Sequence, residues 1–581
     1  MKNASISPTA GRRVSASGEF SWKGQLLFGG LVLLYVALLL RRIGDTSLGY
    51  PDADRILMDG VFFRDFFLDL PLLDLYDYVT AYYGQYPALS IGYRPPLFPA
   101  VEGVFNLVFG VNMWSSRLAL ISLGVVGLIA FYATVRAMFG QAAALGAALL
   151  YATSPFVVRL GWYTMGEIPV LSVMLVSVFF YQRYASTGRA WALWGTVFSA
   201  VAAMWTKQTA LVLVLWFFLH QVTTGSLITQ LAQKRVWAAL GVSVILLLPL
   251  LVITLWLGDQ NIAQSIGMLH AGISEAYAAS GGVIENLPER LQPERLLLRI
   301  RQLYTVHLEL PTLVLASVGL LWAVFRRDGR AWFWASLIIA VYLFFTYIKG
   351  QNSRYPILWI PAFAVFASLP LAYCASQSRR VLWGYGAALL LAAGWQVWSV
   401  YDAEPKFATG YDEAARYVLR HSESPTVFFD GYNNGYFTYF MRALDPDESM
   451  YVLRGDKLLS STSIAGKNRL EVHVEGSQGI RSVLDRFGPQ FIVVEDRNTI
   501  GIPVHGKLRD MLQGDSGFRL RRSIAVETGS PSTRLPLEGV SLLIYEDMER
   551  KEPEDGVLEL RLPVVGQTIR VPFRPTGVEQ G

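Results

Sequence analysis

Charge is scarce in this chain. Of its 581 residues only 16% are Asp, Glu, Lys or Arg, while 53% are hydrophobic. A soluble domain carries roughly 25% charged residues, so the composition excludes an ordinary water-soluble fold and makes the bilayer the main solvent. Cysteine is scarcer still: Cys374 stands alone, which excludes an intrachain disulfide framework, and it reads as a small buried residue near a helix end. The six histidines, His220, His270, His307, His421, His473 and His505, are scattered without zinc-type spacing, so a His-built metal site is not expected. There is no Walker-type loop and no dinucleotide glycine motif, which argues against nucleotide-driven transport and nicotinamide chemistry. "GRRVS" at Arg12 and Arg13 resembles a twin-arginine export signal, yet the apolar segment behind it is long, ends in Arg41 and Arg42 and lacks a small-residue cleavage site. A retained signal anchor is expected instead.

Apolar runs, by contrast, are abundant. Segments near spanning length recur at about 24–41, 114–136, 141–159, 168–184, 191–206, 208–222, 236–257, 310–325, 331–348, 355–374 and 381–400, a pattern of about eleven transmembrane helices. A cytoplasmic N-terminal tail, 1–23, puts Arg12, Arg13, Arg183, Arg189, Lys234, Arg235, Arg326, Arg327, Arg330, Arg379 and Arg380 on the inside, as the positive-inside rule asks. Arg41 and Arg42 break that rule and are expected to snorkel to headgroup phosphates. The outer face then receives loops 42–113 and 258–309 and everything after about 401.

In the first of these loops, Arg55, Asp59, Asp65 and Asp69 alternate at helical spacing with Ile56, Phe63, Phe66 and Phe67, the pattern of a helix lying at headgroup level. Tyr76, Tyr78, Tyr82, Tyr83 and Tyr86 follow as an aromatic belt, and "RPPLFP" opens a short helix over about 97–110. From about 402 the pattern turns soluble. "YDEAARYVLRH", "NGYFTYFMRAL" and "IRSVLDRFG" read as helices and "PTVFFD", "SMYVLR" and "QFIVVED" as strands, a small α/β domain spanning 401–581 outside the membrane. "GVLELRLP" and "QTIRVPF" add a hairpin. "DGYNNGY", Asp430 to Tyr436, reads as a turn and helix cap.

The outer face gathers unusual company. Asp52, Asp54 and Asp59 follow the first apolar segment; Glu167, Arg94, Lys207, Lys349 and Arg354 lie at other loop ends on the same side. A carboxylate can take the proton of an attacking hydroxyl, while guanidinium and ammonium groups bind a phosphate and stabilise it as it leaves. Each residue alone has a plainer reading: loop charge for the aspartates, a helix N-terminal acid for Glu167, a snorkelling tip for Lys207.

Together their order resembles the superfamily C (GT-C) glycosyltransferases, in particular the group of protein O-mannosyltransferases and aminoarabinose-to-lipid A transferases (glycosyltransferase family 39/83-like). That family carries an acidic motif after its first transmembrane helix, matched here by Pro51 and Asp52, and a basic-Pro-Pro-Leu motif, matched by Arg94, Pro95, Pro96 and Leu97. An acid opens its fourth helix (Glu167), a Thr-Lys pair falls near the fifth (Thr206, Lys207), and an Arg-Tyr pair opens a late helix (Arg354, Tyr355).

The resemblance spans roughly residues 20–400. It implies a GT-C-like transmembrane catalytic region, 24–400, and a polyprenyl-phosphate-linked monosaccharide as donor, transferred with inversion to an acceptor on the outer face of a bacterial inner or plasma membrane. In it the first-loop aspartate is the base and the basic residues hold the lipid phosphate; with the charges of the same face this makes Arg94, Lys207, Lys349 and Arg354 candidate phosphate contacts and Glu167 and Tyr355 candidate substrate-binding residues, Glu167 to orient the acceptor or the donor sugar. Two departures stand out: Ala53 replaces the glutamate usual after the aspartate, with Asp54 one place later, so Asp52 and Asp54 both remain open as the base; and Arg94 replaces the usual lysine, keeping bidentate phosphate binding. No metal site and no cofactor are expected, though the pattern leaves room for a divalent cation. No nucleic-acid partner is expected, and the acceptor stays open among protein, lipid A, polysaccharide and wall polymer. The competing expectations are a non-enzymatic flippase of lipid-linked sugars, which calls for mid-helix charges or repeated halves, and a membrane-anchored glycan-binding protein.

Overall fold

The computed structural model describes residues 22–45, 52–90, 93–257, 293–347, 352–374, 379–463, 468–529, 539–562 and 567–573. The tail before Trp22, Pro51, most of the loop 258–309 and Lys349 lie outside the described residues.

Every apolar run becomes helix. In chain order these are α1 (Trp22–Leu40), α2 (Ala53–Asp69), α3 (Leu75–Gln85), α4 (Leu97–Phe109), α5 (Met113–Phe139), α6 (Gln141–Thr153), α7 (Pro155–Trp162), α8 (Glu167–Thr187), α9 (Ala190–Thr206), α10 (Val212–Thr223), α11 (Leu227–Leu231) and α12 (Lys234–Leu257). Then come α13 (Pro293–Gln302), α14 (Leu310–Arg326), α15 (Ala331–Tyr347), α16 (Trp359–Cys374) and α17 (Arg379–Asp402). Among the described residues six helices are long and apolar enough to cross a membrane, and the pair α6 and α7, bent by 49°, makes a seventh if read as one span. The bend falls at Ser154 because Pro155 lacks the N–H that would continue α6 and instead opens α7. Helices α4, α9, α14, α15 and Gln208–Thr223 are apolar but shorter. The helical core holds Trp216, Trp334, Trp359, Tyr35 and Tyr151, whereas α12 turns Trp237, Val244, Ile245 and Leu248 outward, as a lipid-facing helix would.

Arg41 and Arg42, which broke the charge rule, have protein partners. The Arg41 guanidinium donates to the Val400 carbonyl and lies 4.0 Å from the Tyr401 ring, at the C-terminal end of α17, where exposed carbonyls favour a cation. Arg42 pairs with Asp45 at 3.2 Å.

The C-terminal strands are β1 (Phe407–Ala408), β2 (Thr426–Asp430), β3 (Tyr451–Arg454), β4 (Ser460–Ser463), β5 (Asn468–Val472), β6 (Phe491–Glu495), β7 (Phe518–Ala525), β8 (Thr528–Gly529), β9 (Ser541–Asp547), β10 (Gly556–Leu562) and β11 (Gln567–Phe573). Five build one sheet in the order β3-β2-β6-β9-β7: β2 runs parallel to β3 and β6, while β9 runs antiparallel to β6 and β7. Strands β10 and β11 form the expected hairpin. Residues of β2 and β6 are buried throughout, as strands covered on both faces must be. One face packs Phe428, Ile492 and Val494 against Leu484, Leu508 and Met511.

The other face packs on the first loop. Leu57, Met58, Val61 and Phe62 of α2, Tyr82 of α3 and Tyr86 just after it share a single core with Val427, Phe429, Phe437, Phe440 and Val493. Within it Arg442, from the helix Asn434–Leu444, pairs with Asp65 at 2.8 Å, and the Tyr82 hydroxyl donates to the same carboxylate at 2.7 Å. The helix expected at headgroup level therefore exists as α2, but ten of its seventeen residues are buried in protein. Tyr82 and Tyr86 are core residues rather than an interfacial belt. Helical spacing marks a covered face without saying whether lipid or protein covers it.

Candidate active site

Five helix ends meet on one side of the helical region. Asp52 immediately precedes α2, where an aspartate normally caps the helix by accepting a bond from a first-turn N–H. It makes no such bond. Its carboxylate turns away to two guanidiniums: Arg94 Nη2 donates to Oδ1 at 2.7 Å and Arg354 Nη2 to Oδ2 at 3.0 Å, while Arg94 Nη1 also reaches the Asp52 carbonyl at 2.7 Å. The Asp52 side chain remains 46% exposed. Burial of the carboxyl would raise its pKa, but Arg94 and Arg354, with Lys207 behind them, hold it well below the usual carboxylate range.

Arg94 is positioned by the loop that carries it. The Ser90 N–H donates to Asp59 Oδ1 at 2.8 Å and its hydroxyl to the other Asp59 oxygen; the Ser90 carbonyl then accepts from the N–H groups of Tyr93 and Arg94, each at 3.0 Å. Pro95 and Pro96 bar helix at this point and release the chain into α4. Burial lifts the Asp59 carboxyl to about 6 against the bonds from Ser90.

Glu167 opens α8, where an acid suits the helix dipole, and is buried. It accepts from Lys207 Nζ at 2.6 Å and lies 3.6 Å from Arg354 Nε. Lys207 sits where α9 stops: its extended backbone breaks α9 from the 3₁₀ turn that follows, and its ammonium lies 5.4 Å from the Tyr355 ring centre. Arg354 and Tyr355 precede α16; the Arg354 Nε donates to Asn352 Oδ1 at 3.2 Å, and an Nη contacts the Met165 sulfur at 3.4 Å. Asp52, Arg94, Glu167, Lys207, Arg354 and Tyr355, spread over some 300 positions of sequence, are thus one cluster. Lys349 lies outside the described residues. Among the described residues no three His, Cys, Asp or Glu side chains gather as a metal site would require.

Asp54 behaves differently. It lies in the first turn of α2 and only 3% of it is exposed. A Cβ on Gly435, at the start of the helix Asn434–Leu444, would fall 2.2 Å from Asp54 Oδ2, so the glycine is what lets the C-terminal region close over it. Burial raises the Asp54 carboxyl to about 7, with Arg55 and Arg94 opposing. Gly435, Met165 and the Asp59–Ser90 pair were not singled out as site residues in sequence; only "NNGY" carried a visible turn signal, and that reads as a cap.

A family model described as dolichyl-phosphate-mannose-protein mannosyltransferase matches residues 93–256. Among solved structures, ArnT from Cupriavidus metallidurans in the apo state is similar at TM-score 0.55 and 13% identity, covering 91% of this chain and 99% of that one. ArnT bound to undecaprenyl phosphate gives 0.51 at 14% identity over the same shares. No curated protein matches the chain by sequence. The family model thus covers less than a third of the chain, and the likeness to the solved structures shows a fold shared with ArnT in a chain that has helices long and apolar enough to cross a membrane.

Proposed function

We propose that the chain moves a monosaccharide from a polyprenyl-phosphate carrier to a hydroxyl-bearing acceptor, with inversion, at the outer face of the membrane, and that Asp52 rather than Asp54 is the base. The observation that carries this reading is the exposed Asp52 carboxylate set between Arg94 and Arg354 at 2.7 and 3.0 Å. An acceptor hydroxyl gives its proton to Asp52 as its oxygen attacks the anomeric carbon. The bond from that carbon to the phosphate oxygen breaks, and the electron pair stays on the phosphate, where Arg94, Arg354 and Lys207 meet the developing charge. Glu167 acts on the cations, holding Lys207 and Arg354 in place, rather than on the sugar. Asp54, sealed beneath Gly435, has no room for an acceptor.

The ArnT complex with undecaprenyl phosphate supports a lipid-phosphate donor for this fold, and the three cations Arg94, Lys207 and Arg354 outnumber the two carboxylates of the cluster. Four of the shorter apolar helices, α9, Gln208–Thr223, α14 and α15, read as further spans beside the seven, giving eleven, with a cytoplasmic N-terminus. Consistent with that topology, α8 and α9 have Glu167 and Lys207 at one end and Arg183 and Arg189 at the other. Residues 401–581 then form an outer α/β domain seated on the first loop.

The test is mass spectrometry of lipid-linked sugars and glycoconjugates from cells making the wild type or Arg354→Gln. The expected result is loss of one glycosylated product and accumulation of its polyprenyl-phosphate sugar. Unchanged levels of both would refute the reading.

A further inference from the structure

We propose that the donor phosphate itself releases the base: with the site empty, Arg94 and Arg354 are committed to Asp52, and an incoming lipid phosphate draws both guanidiniums onto its own oxygens. This deepens the transferase reading of the same site and rests on it.

Both states call on the same two guanidiniums. Each carboxylate oxygen of Asp52 is taken by a different guanidinium, Oδ1 by Arg94 and Oδ2 by Arg354. The groups that would grip a phosphate are therefore the ones now neutralising the base. In that state each oxygen already accepts a charged hydrogen bond, and the proton affinity of the carboxylate is depressed. The groups facing Asp52 are Arg94 and Tyr93 from the turn before α4, Arg354 and Tyr355 from the turn before α16, Lys207 at the end of α9, Glu167 at the start of α8 and Asp54 in the first turn of α2. Three cations, Arg94, Lys207 and Arg354, stand against two carboxylates, Asp52 and Glu167, in the ion-pair cluster. The excess is one positive charge, which suits the single negative charge of a sugar phosphodiester.

Arg354 is built to change partners without leaving. Its Nε is held by Asn352, and Glu167 lies behind it, so the root of the guanidinium is fixed while Nη2 can pass from Asp52 to phosphate. Arg94 keeps a second bond, to the Asp52 carbonyl, that survives the exchange. The consequence is order: Asp52 becomes a good proton acceptor only when a donor is seated, so the site does not activate water or an acceptor in the absence of its sugar carrier.

A base freed in this way takes up protons when the phosphate binds, because its affinity for protons rises. Titration calorimetry of the purified full-length protein with undecaprenyl phosphate at pH 5, in two buffers of different ionisation enthalpy, counts those protons. Protonation of the phosphate itself depends on the charge of the site, so it is read separately in each complex from its phosphorus NMR shift and subtracted. The wild type and Asp54→Asn are expected to take up a few tenths of a proton more per lipid than Asp52→Asn, and Asp52→Asn to bind several-fold tighter, since no carboxylate at that position competes with the phosphate. Equal proton counts in wild type and Asp52→Asn, with normal binding, would overturn the release of the base and leave the transferase reading standing. Absence of binding by all three proteins would overturn both.

Discussion

Two regions of the molecule build the same electrostatic device and use it differently. At the membrane-side cluster Asp52 lies between Arg94 and Arg354; in the C-terminal sheet Asp430, at the end of β2, lies between His505 Nδ1 and Arg509 Nη1, each at 2.6 Å. The second cluster continues from His505 Nε2 to the Ser460 hydroxyl at 2.8 Å, an Asp-His-Ser order that on paper suggests a nucleophile. Yet Asp430, His505 and Ser460 are all at 0% exposure, while Asp52 is 46% open. A sealed carboxylate with saturated partners ties β2 to the helix Pro503–Gly514; an open one has somewhere to put a substrate proton. On the proposed reading, access more than charge pattern separates scaffold from chemistry.

That contrast can be broken in four ways. The largest effect is expected at Asp52: Asp52→Asn should lower transfer by roughly 10²–10⁴-fold while leaving the melting temperature unchanged, read from initial rates and a thermal scan of the same preparation. Next, Asp430→Ala should leave Arg509 buried and unpaired and cost about 3–5 kcal/mol of stability, measured by denaturant unfolding in detergent, with transfer by the folded fraction near wild type.

A smaller effect with a distinctive pH dependence is expected at Asp54. Its folded-state pKa, about 7, lies above that of an unfolded aspartate, about 4. The unfolded chain therefore ionises first, and stability falls as pH rises from about 4 to about 7. Asp54→Asn removes that penalty: it should stabilise the protein by up to a few kcal/mol at pH 8 and by nothing near pH 4. A stabilisation equal at both pH values would contradict the assignment.

The smallest effect belongs to Ser90→Ala, which frees the loop behind Arg94. We expect a several-fold fall in kcat/KM for the lipid donor, shared between KM and kcat, because Arg94 both binds the phosphate and meets the charge that develops on it.

Much of this was legible in the residues themselves. Each apolar run became a helix, and "PTVFFD", "NGYFTYFMRAL", "SMYVLR" and "QFIVVED" took the elements that their periodicity implied. Asp52, Arg94, Glu167, Lys207 and Arg354 were visible as charges at the ends of apolar segments, where burial would otherwise be costly. What the sequence left open was pairing over long separations. Nothing local in α2 says that Asp65 will meet Arg442, or that Phe62 and Tyr82 face a β-sheet instead of lipid. Nor could spacing choose between Asp52 and Asp54: the choice depends on a glycine 381 positions later, Gly435, whose missing side chain lets a distant helix cover one carboxylate and not the other.

The most direct measurement is therefore the paired comparison of Asp52→Asn and Asp54→Asn in one transfer assay, with glycosylated product quantified by mass spectrometry against wild type. If Asp52 is the base, product falls by roughly 10²-fold or more in Asp52→Asn and stays within a few-fold of wild type in Asp54→Asn. Product made at the wild-type rate by Asp52→Asn would contradict the assignment, whichever way Asp54→Asn behaved.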